Sequence, residues 1–164
     1  MKRFIVHARN AWLTGLSPKD NRNVPPLDYQ IVYDIKKKRP DLEIILNGGL
    51  VNLEHGIENQ GNLDGLMFGR KAYENPWILH GVDEIITGQP NLKTRHSTAM
   101  KFLPYVESQL DQGVKLHAMT RHMFGLFLGC FGARRWRQIL TSIGHQPDAS
   151  ISLLIDALDA VGTQ

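Results

Sequence analysis

A single cysteine, Cys130, stands among 164 residues, so the chain cannot close an internal disulfide or build a cysteine-rich zinc site. A reducing compartment is its expected setting. Long apolar runs are also missing. The greasiest stretch, Met123–Phe131, is interrupted by glycine and cysteine and falls short of the ~20 residues that cross a bilayer. The opening Met-Lys-Arg-Phe-Ile-Val-His offers two charges and then only three apolar residues, which is not the pattern of a secretory leader. Hydrophobic residues at 42% and charged residues at 21% exclude a disordered chain. A soluble cytoplasmic protein is expected, with one domain or one domain plus a small module.

Carboxylates are scarce in two places. Residues 1–39 hold nine Lys and Arg against three Asp, while residues 40–164 hold ten against thirteen Asp and Glu. Within the second part, residues 113–145 carry Lys115, Arg121, Arg134, Arg135 and Arg137 and no carboxylate at all. Two separated basic islands suit a polyanionic partner that touches both; a solvated surface explains the charge equally well.

Phe4-Ile5-Val6 is a continuous β-branched and aromatic run, which predicts a strand buried on both faces, as in a parallel sheet. Such a strand needs two neighbours and only one can follow it, so the chain is expected to begin inside a fold. Residues 8–27 form a polar loop broken by Gly15, Ser17-Pro18 and Pro25-Pro26, longer than the ~12–15 residues beyond which loops are usually functional. Asp28 predicts the N-cap of a helix to about Lys38, with Ile31, Val32 and Ile35 on one face and Pro40 as its stop. The Lys36-Lys37-Lys38-Arg39 run at its end reads as compensation of the helix dipole. Leu42–Leu46 is a second strand, ending in Asn47-Gly48-Gly49, and a short helix around 53–60 follows. Gly65–Phe68 is a third strand, ending in Gly69-Arg70. Asn75-Pro76 then opens a helix to about Thr87.

Strand, helix, strand, helix, strand, helix with short crossovers means parallel β/α units. Residues 89–95 are a linker. Beyond it only helical periodicity remains, over about 96–112, 116–128, 133–142 and 149–161, with Gly113 and Gly144 as expected C-terminal caps. The fold class is therefore α/β plus all-α, with residues 1–88 as the β/α part and 96–164 as a four-helix domain. Three parallel strands fit an open sheet or a slice of a closed (β/α)8 barrel. In such a barrel the loops after the last two strands often hold a phosphate. Two successive glycine-bearing strand ends, the second with Arg70, favour that use over simple turns.

The segments Ile5-Val6-His7-Ala8-Arg9, Ser17-Pro18-Lys19-Asp20-Asn21-Arg22 and Pro25-Pro26-Leu27-Asp28-Tyr29 resemble the tRNA-dihydrouridine synthases. Asn47-Gly48-Gly49, Gly69-Arg70-Lys71-Ala72-Tyr73 and Asn75-Pro76 continue the likeness. Thr120-Arg121-His122-Met123 and Gly132-Ala133-Arg134-Arg135-Trp136-Arg137 resemble the helical domain of the A-type branch, which acts on uridines 20 and 20a of the tRNA D-loop. The resemblance covers Phe4 to about Leu158.

That resemblance implies an FMN-dependent oxidoreductase on a TIM barrel with a tRNA-binding helical domain, NADPH as reductant, tRNA as partner, no metal ion, no membrane, and a monomer in full-length form. Carried over, His7, Asn47, Gly48, Gly49, Gly69 and Arg70 are flavin-binding positions, the last five as a phosphate clamp. Lys19 and Arg22 form one tRNA-contacting pair; Arg134 and Arg137, three apart on one helix, form the second. Arg135 falls on another side and reads as solvated charge. The three strands correspond to the sixth, seventh and eighth of the barrel. The proton-donating cysteine loop belongs to the upstream half, Cys130 reads as a small buried thiol, and no catalytic residue is expected in this chain. The expectation is a C-terminal portion, inactive alone. The alternatives are a non-catalytic tRNA-binding remnant and a fragment of another FMN-dependent barrel oxidoreductase.

Overall fold

Three short segments rich in β-branched and large apolar residues pair as a parallel sheet in the order β1 (Arg3–His7), β2 (Glu43–Asn47), β3 (Gly65–Met67). The computed structural model describes residues 1–146 and 148–162, and its contacts divide the chain into two units, Met1–Ala72 and Tyr73–Gln164. In the first unit the register sets Phe4 beside Ile44 and Val6 beside Leu46 on one face of the sheet, and Ile5 beside Ile45 and His7 beside Asn47 on the other. Ile44 and Leu46 are buried in one core with Val32 of α1 (Tyr29–Lys38). The other face lies open, with Ile5 56% exposed. Burial of the first strand on both faces is therefore corrected. Phe4 and Ile5 are exposed because, among the described residues, β1 pairs only with β2.

Asp28 caps α1 as expected, its side chain accepting the Ile31 amide hydrogen at 3.3 Å. The buried stripe is narrower than expected, since Ile31 faces solvent. The basic run at the helix end does more than offset a dipole. Lys36 donates to Asp64 at 2.8 Å and to the Leu42 carbonyl at 2.7 Å, and Arg39 forks onto Asp41. Lys36 thus ties the end of α1 to the turn before β3. The Asn52 side chain caps α2 (Leu53–Glu58) through the His55 amide.

The described part of the second unit is helical. A single helix from Asn75 to Thr87 is not formed: Pro76–Leu79 is a 3-10 turn, preceded by α3 (Arg70–Glu74) and followed by α4 (Val82–Thr87). Trp77 packs against the core of the second unit, so the division falls between Ala72 and Tyr73, ahead of residue 88. The expected helix 96–112 breaks into α5 (Arg95–Met100) and α6 (Leu103–Asp111) at Pro104, which lacks an N–H and crowds the preceding turn. The expected helix 116–128 stops at α7 (Leu116–Thr120), and turns rich in glycine follow. A Cβ on Gly125 would collide with the Glu74 carbonyl, so that close approach admits glycine alone.

After α8 (Ala133–Ile143) and α9 (Ser152–Asp159), the count from Arg95 onward is five α-helices among the described residues, not four. Pro147, Thr163 and Gln164 fall in the expected helical domain but outside the described residues. Trp136 is fully buried at the centre, its indole N–H donating to the Met123 carbonyl at 3.1 Å and its ring edge-on to Phe127. Cys130 is half-buried beside this core and accepts from Arg95 at 2.8 Å. Gly113 is left-handed at the end of α6, as a glycine cap should be; Gly144 is not, and its constraint is His117, whose ring lies 3.1 Å from where a Cβ would stand.

Candidate functional site

The last residues of the three strands, His7, Asn47 and Met67, are register partners and form one row across the C-terminal edge of the sheet. His7 Nδ1 and Asn47 Oδ1 lie 2.7 Å apart, and Asn47 Nδ2 donates to the Met67 carbonyl at 2.8 Å. His7 Nε2 is buried and has no partner among the described residues. Immediately after the row, Gly48 and Gly49 both take positive φ, 118° and 67°. A Cβ on Gly48 would press on the His7 ring and the Ala8 amide at 3.3 Å, and one on Gly49 would overlap Leu27. Two chain segments close in here with no room for side chains, and the turn itself disfavours any residue but glycine. Tyr29, missed in the sequence, donates its hydroxyl to the Gly48 carbonyl at 2.9 Å. Burial, ahead of the neighbouring Tyr33, holds the Tyr29 phenol above its ordinary value, with Arg9 pulling the other way.

Arg70 opens α3, three residues beyond the end of β3, and is exposed, with Gly69 before it in open space. Its guanidinium donates to Asn23 Oδ1 at 2.6 Å and to the Arg22 carbonyl at 3.5 Å. The loop after β1 is thereby held to this strand end. Arg9 holds it from the other side through the Pro25 and Asn23 carbonyls, and Asn21 pairs with the Trp12 backbone in both directions. Neither Asn21 nor Asn23 nor Arg9 was marked as functional in the sequence. The one available signal was a polar asparagine pair inside a loop too long to be a mere connection. Lys19 precedes and Arg22 ends a 3-10 turn (Asp20–Arg22) on this loop, both exposed.

In the second unit, Trp136, Leu140 and Ile143 define the buried face of α8. Arg134 and Arg137 are exposed and about 60° apart around the helix, while Arg135, also exposed, lies about 160° from Arg137. Arg134 and Arg137 are therefore adjacent on the helix surface, whereas Arg135 and Arg137 are not. Nearby in sequence, exposed His122 contacts the Tyr73 hydroxyl through Nδ1 at 2.9 Å. Among the described residues no group of three or more His, Cys, Asp or Glu is placed to hold a metal ion, and no helix is long and apolar enough to cross a membrane.

A parallel β/α unit whose polar groups gather at the strand C-termini, continued by a helical unit with a basic helix face, defines the class of protein. The particular family follows from comparison: the chain belongs to the dihydrouridine synthase (Dus) family, whose model matches residues 1–162. It is 48% identical over 160 residues to a tRNA-dihydrouridine(20/20a) synthase of Xanthomonas axonopodis pv. citri (strain 306), covering 98% of this chain and 48% of that protein. Proteins of the same name from Vibrio cholerae serotype O1 and Salmonella typhi are 44% and 46% identical, over 99% and 96% of this chain and 50% and 48% of their own length. The chain spans about half the length of the curated relatives it matches.

Proposed function

We propose that the chain is the C-terminal half of an FMN-dependent, NADPH-using tRNA-dihydrouridine synthase that reduces uridines 20 and 20a of the D-loop. The observation that carries the reading is the strand-end row: a buried, unpartnered His7 Nε2 beside Asn47, followed by two consecutive glycines in positive-φ backbone. Such a place suits a flat, polar-edged group and its phosphate. In this reading β1 to β3 are the last three strands of the barrel, Met1–Ala72 its C-terminal part, and the unit Tyr73–Gln164 carries the tRNA-binding domain. His7, held by Asn47, meets the flavin, while Gly48, Gly49, Gly69 and Arg70 receive its phosphate, the arginine adding a charge-assisted contact. When bound, FMN supplies the hydride that reduces the C5–C6 double bond of uracil.

The chain's own work is to orient and to grip. Lys19 and Arg22 on the tethered loop, and Arg134 and Arg137 on α8, neutralise backbone phosphates so that the target uridine can be turned out of its RNA context. Cys130 is half-buried among helices of the second unit, and the proton donor is assigned to the other half of the protein. Inactivity of the chain alone follows.

A split-protein experiment tests this. The N-terminal half of the Xanthomonas relative and this chain are expressed together and apart in cells lacking dihydrouridine at positions 20 and 20a. Dihydrouridine should be restored at those positions by the pair and by neither half alone. Absence from the pair, with the intact relative active in the same cells, would sink the assignment.

A further inference from the structure

We propose that Asn47 acts on the bound group through His7: its side-chain amide locks the imidazole in the Nδ1–H form and leaves Nε2 as a bare acceptor. The ligand's identity here rests on the flavin reading above; the lock itself does not. A backbone carbonyl only accepts hydrogen bonds, so the Asn47 atom 2.8 Å from the Met67 oxygen has to be the amide nitrogen. The Met67 sulfur, 2.8 Å from the same nitrogen, is a weak acceptor and agrees. The other arm of the amide, facing His7, is then the carbonyl oxygen, which cannot donate. His7 Nδ1, 2.7 Å from it, therefore carries the hydrogen. A neutral imidazole has one N–H, so its Nε2 keeps a lone pair.

Each link of this chain sits on one rung of the sheet, since His7, Asn47 and Met67 are register partners. The lock is thus set by strand register and needs no further packing. It points Nε2, buried and without a partner among the described residues, at a ligand that offers an N–H or O–H. On a flavin that means a ring N–H or a ribityl hydroxyl. An anionic phosphate oxygen would find no donor on a neutral His7. With both arms of its amide engaged, Asn47 is a positioning residue and leaves the phosphate to the two glycines and Arg70.

The test is 15N NMR of the full 164-residue chain labelled at its seven histidines, above the pH at which imidazole is neutral, with His7 assigned from a His7→Gln difference. Nδ1 of His7 is expected to resonate as a protonated ring nitrogen and Nε2 as an unprotonated one. Asn47→Asp keeps an acceptor and should keep that pattern; Asn47→Ala should shift it toward the other tautomer. The same measurement on the chain assembled with the N-terminal half of the relative decides the matter if the sheet is not ordered in the chain alone. A proton on Nε2 in the unsubstituted chain, or no change in Asn47→Ala, overturns the lock. Added FMN should move the Nε2 resonance. If the tautomer is as stated and FMN leaves Nε2 unmoved, the lock stands and His7 leaves the flavin site.

Discussion

At the scale of single residues, Arg70 carries two tasks that can be separated. It tethers the loop through Asn23 and the Arg22 carbonyl, and it follows Gly69 directly after the third strand. A hydrogen bond to a charged partner contributes about 1.5–3 kcal/mol, so Arg70→Ala should raise the FMN dissociation constant by roughly 10- to 150-fold. Asn23→Ala cuts the tether and keeps the guanidinium, and its FMN affinity should hardly change. Flavin fluorescence titration of the chain assembled with the N-terminal half of the relative distinguishes them. Equal weakening in both variants would make Arg70 a loop anchor only. The asymmetry in what could be foreseen is physical. An arginine after a glycine at a strand end announces itself, whereas Asn23 matters only because chain reversal over 47 positions brings it within 2.6 Å. Tyr29 is hidden for the same reason: its partner, the Gly48 carbonyl, exists as an acceptor only once the turn has formed.

At the scale of elements, Asp64 links three pieces of the first unit, accepting from Lys36 of α1 and from the Ile44 amide of β2 just before β3 begins. Lys36 first, and then that amide, hold its carboxyl below the usual aspartate range. A carboxyl lowered in the folded state stabilises fully above its unfolded value and loses that stabilisation as pH falls through the folded one. The first unit should therefore weaken on acidification below about pH 4, and Asp64→Asn should flatten that acid limb in a pH series of thermal melts. An unchanged limb would mean the pair is too screened to matter, as exposed ion pairs often are.

Element legibility divides along the same line of local against distant cause. The three strands, the Asp28 cap and α8 were readable because their signals lie within a few residues. The broken helices were not, since Pro104 and Gly125 interrupt a periodicity that otherwise continues, and the Glu74 carbonyl that demands Gly125 lies far back in the chain. On α8 the readable pattern makes its own prediction. Arg134→Ala and Arg137→Ala should each weaken tRNA binding and lower the slope of log affinity against log salt by about one unit, with FMN titration unaffected. Flavin loss with tRNA binding intact would place this face in a bracing role.

At the scale of the whole molecule, the two units differ in how complete each is by itself. The second encloses its own core: Trp136, Val106, Leu140 and Leu154 are wholly buried, drawn from α6, α8 and α9. The first has a three-stranded sheet in which, among the described residues, β1 and β3 each pair only with β2. Phe4, Ile5 and Met67 on those outer strands are exposed. Unpaired apolar edges invite association between chains, and a sheet open on one face buries too little to hold a unique fold firmly. Residues 73–164 expressed alone should therefore be soluble and helical by circular dichroism, with one cooperative thermal transition. Trp136→Ala should remove about 3–5 kcal/mol from that unit, enough to abolish the transition in a module of this size. Residues 1–72 alone should aggregate or melt without cooperativity, and light scattering at matched concentration should separate the two pieces. The same edges explain why the split halves are expected to find each other: the strands that close the barrel in the full-length relatives would pair where β1 and β3 are open. A soluble, monomeric and cooperatively melting 1–72 piece would show that three strands suffice. The proposed assembly with a missing half would then lose its physical driving force.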